Sequence, residues 1–138
     1  VEKKEKMEAA AVGLARDAAW EFDDSQEQDP NGLAPSDPGA KLDQGKPRAA
    51  LVLGDFSRAL QAVAEVGTYG EVKYSASGWM KVENGEERYN DAAMLHWLKR
   101  MGGADRDVES GLLHHAQQAW NVLAELELRL RSGDVHGK

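Results

Sequence analysis

Three stretches of this sequence carry polar side chains at the spacing of one helix face among apolar neighbours. Near the C-terminus, Ser110, His114, Gln117 and Asn121 recur at intervals of four, three and four, and Glu125 follows four later. On a helix these intervals line one side. Leu112, Leu113, Ala116, Ala119, Trp120, Leu123 and Leu126 flank them, so the stripe is either the solvated face of an amphipathic helix or the wall of a site. A buried polar group without a partner costs about 1–3 kcal/mol, so a packed stripe of this kind requires polar chemistry opposite it. Glu65, Tyr69 and Lys73 form a second stripe, and Asp91, His96 and Lys99 a third, set among Ala92, Ala93, Met94, Leu95, Trp97 and Leu98. A lone histidine on such a helix is more often structural than a ligand. Three helices that each carry one polar stripe are harder to explain in that way.

The chemistry these residues point to is that of a hard cation and a polyphosphate. Mg²⁺ takes oxygen ligands in near-octahedral geometry and retains water, so two or three carboxylates from facing helices suffice when phosphate oxygens complete the shell. Glu65, Asp91 and Glu109 are the expected metal ligands, with Mn²⁺ as a substitute ion. A bound cation makes an acidic pocket attractive to a triphosphate and activates water for attack on the α-phosphorus, with pyrophosphate leaving. Lys46, Arg48 and Lys73 are expected to steady that departing charge, Arg with a forked donor and Lys as a point charge. Trp79 and Trp120 either stack on a base or fill the core, the core being the expected place of Trp120; Trp20 and Trp97 are expected to pack.

The elements that must position these groups are helices. Residues 2–22 read as an amphipathic helix, with Met7, Ala10, Ala11, Leu14 and Ala18 three or four apart. Residues 23–40 are acidic and contain Pro30, Asn31-Gly32, Pro35 and Pro38-Gly39, the composition of a linker. Residues 41–48 then bring three cations into an otherwise acidic chain. A second helix is expected from an N-cap at Asp55 to about Tyr74, and a third from Arg88 to Met101, where Gly102-Gly103 stops it. The last is expected from Val108 to Arg131, after a turn at residues 105–107. Short loops without strand alternation predict an all-α, antiparallel bundle of four to five helices, completed by oligomerisation. Residues 41–131 form its expected domain, and 132–138 a tail. The 138 residues suffice for one core. The net charge of -7 argues against duplex nucleic acid as partner. The absence of cysteine and of any long apolar run predicts a cytoplasmic protein away from membranes.

Four motif blocks, in order, resemble the phage dATP/dGTP diphosphohydrolase family, relatives of the MazG-like all-α nucleoside triphosphate pyrophosphohydrolases that include the MazZ enzymes. The blocks are Lys41, Asp43, Gly45, Lys46 and Arg48; Tyr69, Gly70, Lys73, Tyr74 and Trp79; Asp91, Ala92, Ala93 and His96; and Glu109, Ser110, Gly111, Leu112, His114 and Asn121. Leu95, Gln117 and Gly78 stand where the family usually has Arg, His and Asn. The resemblance implies Mg²⁺-dependent hydrolysis of dGTP, and of dATP, to the monophosphate and pyrophosphate, in the service of phage 2-aminoadenine synthesis. It also implies a homodimer or homotetramer with sites near subunit contacts. The expected catalytic residues are then Glu65, Asp91, Glu109 and His114, and the expected substrate-binding residues Lys41, Asp43, Lys46, Arg48, Lys73, Trp79, His96 and Asn121. A non-catalytic nucleotide-binding or assembly module on the same bundle is the alternative.

Overall fold

The computed structural model describes residues 27–133, so the expected helix at 2–22 and the end of the tail lie outside the described residues. Within that range the chain is all-helical: α1 (Ala50–Leu53), α2 (Ser57–Lys73), a 3-10 turn (Gly78–Lys81), α3 (Gly85–Met101) and α4 (His114–Ser132). It forms two compact units, which over the described residues are 27–57 and 58–133.

The helical unit is organised by α3 and α4, which pack along their length. Gly85 at the start of α3 lies against Leu128 near the end of α4, while His96 and Arg100 reach His114 and Gln118 at its beginning, so the two run antiparallel. Small residues occupy most of the buried positions, Gly85 and Ala93 on α3 and Ala116 and Ala124 on α4, where His114 and Asn121 are the other two. A Cβ at Gly85 would stand 2.7 Å from Leu128 Cδ1, so a larger residue here requires the end of the Leu128 side chain to shift. Glu86 and Glu87 in the first turn of α3, and Lys99 and Arg100 in its last, complement the helix dipole. Gly102 and Gly103 end it, with φ of 95° at Gly103, as the paired glycines predict.

Three boundaries differ from expectation. α3 begins at Gly85 rather than Arg88, because Asn84 takes a left-handed conformation and turns the chain directly into the helix. α2 begins at Ser57, so Asp55 is not its N-cap, and the short α1 precedes it. α4 begins at His114 rather than Val108. Residues before it form a turn in which the Asp107 carboxylate and Ser110 hydroxyl bond to local groups in competition with the helix, and Gly111 has φ of 76°.

Residues of α2 and α4 line a groove of about 430 Å³, among them Leu60, Val63, Gly67, Trp120 and Leu123, together with Trp79. Trp79, Tyr89 and Trp120 meet edge to face with centroids 5.7–6.3 Å apart, and the Tyr89 hydroxyl donates to the Trp79 carbonyl at 2.8 Å. Trp97, expected to pack, is 44 % exposed, and Met94, Leu98 and Met101 on the same helix are exposed as well.

Candidate functional site

Local hydrogen bonding builds the rigid part of the site. Asp107 Oδ2 accepts from both the backbone N–H and the hydroxyl of Ser110, each at 2.9 Å, and Ser110 Oγ accepts from Leu112 N at 3.2 Å. Asp107 N donates to Leu112 O, Gly111 N donates to Asp107 O, and His114 N donates to Asp105 O, which ties the turn to the first residue of α4. The Ser110 N–H is the main reason that Asp107 ionises below its ordinary range, followed by the Ser110 hydroxyl and the nearby His114 and Lys99.

This turn presents Glu109 to the C-terminal end of α2. Lys73 Nζ lies 2.9 Å from Glu109 Oε1, and sits 5.3 Å from the ring centroid of Tyr74 and 6.0 Å from that of Tyr69. The hydrogen bond with Glu109 pushes the Lys73 ammonium up to about 12. Lys73 and then Tyr69 hold the Glu109 carboxyl below its usual range, while burial, followed by Glu109, raises the Tyr69 phenol. Lys73 is therefore a fully charged cation whose present partner is a partly exposed carboxylate.

Also near Asp107, His96 Nδ1 and His114 Nδ1 face one another at 2.9 Å, with ring centroids 5.1 Å apart. His114 is only 3 % exposed. At that separation one Nδ1 carries the hydrogen and the other accepts it. The neutral pair consequently offers one basic Nε2 and one Nε2–H donor, joined through a single bridging proton. Burial, then His114 and Lys99, lower the His96 pKa, with Asp107 opposing them.

The titration of His96 has a measurable consequence. Its folded pKa lies below the ordinary 6.5, so the unfolded chain takes up this proton at a higher pH than the folded one. The stability linked to His96 is complete above about 6.5 and is lost as pH falls through that value towards the folded pKa. The melting temperature should drop between pH 6.5 and 5, with a smaller drop in His96→Gln; identical slopes in both proteins would refute the linkage.

The expected residues are distributed unevenly. Lys73, Glu109, His96 and His114 gather around the Asp107 turn, together with Tyr69 and Lys99, two residues of the polar stripes to which the spacing assigned no role. The Asp-x-x-Ser spacing of Asp107 and Ser110 was the available sign of a side-chain-bonded turn. Asn121 is buried and its amide donates to Gln117 O at 2.8 Å. Trp79 joins the aromatic cluster. Glu65 on α2 and Asp91 on α3 are exposed. Among the described residues no three Asp, Glu or His side chains come together as a metal set, so Glu65, Asp91 and Glu109 do not form a cation cage within the single chain. Lys41, Asp43, Lys46 and Arg48 belong to the 27–57 unit, where Lys46 pairs with Glu27.

The profile of the family described as dATP/dGTP diphosphohydrolase, N-terminal, matches residues 36–137. The chain belongs to this family. A relative from Salmonella phage PMBT28, named dATP/dGTP diphosphohydrolase, is 38 % identical over 81 residues, covering 59 % of this chain and 26 % of that protein. The chain thus spans about a quarter of the length of that relative. No solved structure is a significant match. Of the family's motif blocks noted above, the turn around Asp107 draws together parts of three: Tyr69 and Lys73, His96, and Glu109 with Ser110 and His114. No helix among the described residues is long and apolar enough to cross a membrane.

Proposed function

We propose that the protein hydrolyses dGTP, and dATP, between the α- and β-phosphates, releasing the monophosphate and pyrophosphate. The convergence of three motif blocks on one turn carries this reading, because it brings a cation, a proton acceptor and a proton donor into one region. Lys73 neutralises phosphate oxygens as pyrophosphate departs. The basic Nε2 of the His96–His114 pair takes the proton of the attacking water, its oxygen bonds to the α-phosphorus, and the bond from that phosphorus to the bridging oxygen breaks. Mg²⁺ would supply charge neutralisation at the phosphates, and Glu109 and Asp107 would be the carboxylates beside Lys73 and the histidine pair available to hold it. A second copy of the chain covers the exposed Met94, Leu98 and Met101. The monophosphate serves phage synthesis of 2-aminoadenine nucleotides.

Product analysis tests the reading. Purified protein with Mg²⁺ should convert dGTP to dGMP and pyrophosphate in equal amounts, with no free phosphate, and chelation of the metal should abolish turnover. Stepwise release of phosphate would assign a different reaction. That no carboxylate cage forms among the described residues favours one second reading, a nucleotide-binding module without catalysis. In that case dGTP raises the melting temperature while its concentration stays constant.

A further inference from the structure

The composition of residues 27–40 is that of a linker, yet Asp29 within it is 5 % exposed. It is the one buried residue of the described 27–57 segment. Asp29 Oδ1 accepts from Asn31 N at 2.7 Å and Leu33 N at 3.4 Å, and Oδ2 accepts from Lys41 N at 2.7 Å. The last bond spans twelve residues and is the main cause of the lowered Asp29 pKa. It does not stand alone. Gln44 N donates to Gln28 O at 3.0 Å, and Lys46 pairs with Glu27, so three consecutive residues grip the stretch from Lys41 to Lys46. The loop between is itself a series of short turns, closed by Gly32 N to Asp29 O, Asp37 N to Ala34 O and Ala40 N to Asp37 O.

Hydrophobic burial contributes little to this task among the described residues. Of the large apolar side chains there, Leu33, Leu51, Val52, Leu53 and Phe56 are exposed and Leu42 is half-buried. The Asp29 bond to Lys41 N, beside the Gln28–Gln44 bond and the Glu27–Lys46 pair, holds the loop against the basic segment, and removing the carboxylate takes the acceptor from three N–H donors together. Asp29 also lies upstream of the family match, which begins at residue 36.

We infer that Asp29 is a positioning residue for polyphosphate recognition, clasping the loop so that residues 41–48 present Lys41 and Arg48 in one fixed arrangement. The inference rests on the proposed hydrolysis of a nucleoside triphosphate and on the phosphate-binding role expected of that basic segment from its sequence. Preorganised donors lose much of their effect when misplaced by about 1 Å. Asp29 touches no reacting atom, so its loss acts on binding rather than on the chemical step.

The experiment uses the full chain with Asp29→Ala and Asp29→Asn. Asparagine keeps the shape but turns one acceptor into a donor, against either Lys41 N or Asn31 N. In both variants KM for dGTP should rise roughly ten- to hundred-fold while kcat stays within about twofold. Near-UV circular dichroism of the Trp79–Tyr89–Trp120 cluster, which lies in the other unit, should not change. Calorimetric affinity for inorganic tripolyphosphate with Mg²⁺ should fall by the same factor as KM rises. Unchanged KM and tripolyphosphate affinity would overturn the inference, as would a parallel loss of kcat and of the near-UV signal. If the wild-type chain binds tripolyphosphate in an Asp29-dependent way but turns over no nucleotide, the clasp stands and the hydrolase reading falls. If it does neither, both fall.

Discussion

Replacing Lys73 by methionine should lower kcat/KM for dGTP by about two to three orders of magnitude, the usual effect of removing one donor aimed at developing charge. The fold should be untouched. The Lys73–Glu109 pair is partly exposed at both ends, with side chains 36 % and 60 % accessible, and exposed pairs contribute little to stability. Methionine retains most of the length and the apolar character of the lysine stem while removing the ammonium that faces Tyr69 and Tyr74. Steady-state kinetics beside a thermal melt separates the two effects. An unchanged melting temperature with activity nearly abolished is the expected result, and wild-type turnover in the variant would remove Lys73 from the site. Lys73→Arg keeps the charge on a planar, branched head and should recover part of the loss.

A comparable loss is expected at the histidine pair, with a different signature. His114→Gln should reduce kcat by about two to four orders of magnitude if the pair moves the proton of the attacking water. It should also cost about 1–3 kcal/mol of stability, because His114 is buried and its loss leaves His96 Nδ1 without its partner. His96→Gln, on the more exposed side of the pair, should cost less stability but a similar share of kcat. If the two rings act through one bridging proton, the double variant should be scarcely slower than either single one. Multiplicative losses would show that the rings act separately. Normal kcat in His114→Gln, measured below its melting temperature, would reduce the pair to a structural contact.

The polar stripes explain how far the site was legible. Tyr69 and Lys73 are four apart on a helix and the structure keeps them together above Glu109. His96 was expected among substrate contacts and His114 among catalytic groups, but their direct bond depends on where α4 begins. Extending that helix back to Val108 would have placed Ser110 and His114 on one regular face. Instead the Ser110 side chain bonds to Asp107, and the turn holds Glu109 towards α2. Side chains that satisfy backbone groups locally can end a helix against its apolar periodicity, and intervals of three and four do not reveal that competition. Asp29 was hidden for a related reason. A proline- and glycine-rich acidic stretch has the composition of a linker whether or not one of its carboxylates finds distant N–H donors.

Residue order alone determined the helical class, because apolar periodicity and glycine stops act within a few residues and need no distant partner. It also determined the family, since ordered motif blocks are a property of the chain itself. The tertiary structure decided which polar groups meet: Lys73 with Glu109, His96 with His114, Asp29 with Lys41. It also kept Glu65, Asp91 and Glu109 from gathering as a metal set in the single chain. Those outcomes depend on helix direction, on the rotation of each face and on a turn's hydrogen bonds, and contacts between residues 12 or 18 apart arise only once the chain has folded back on itself.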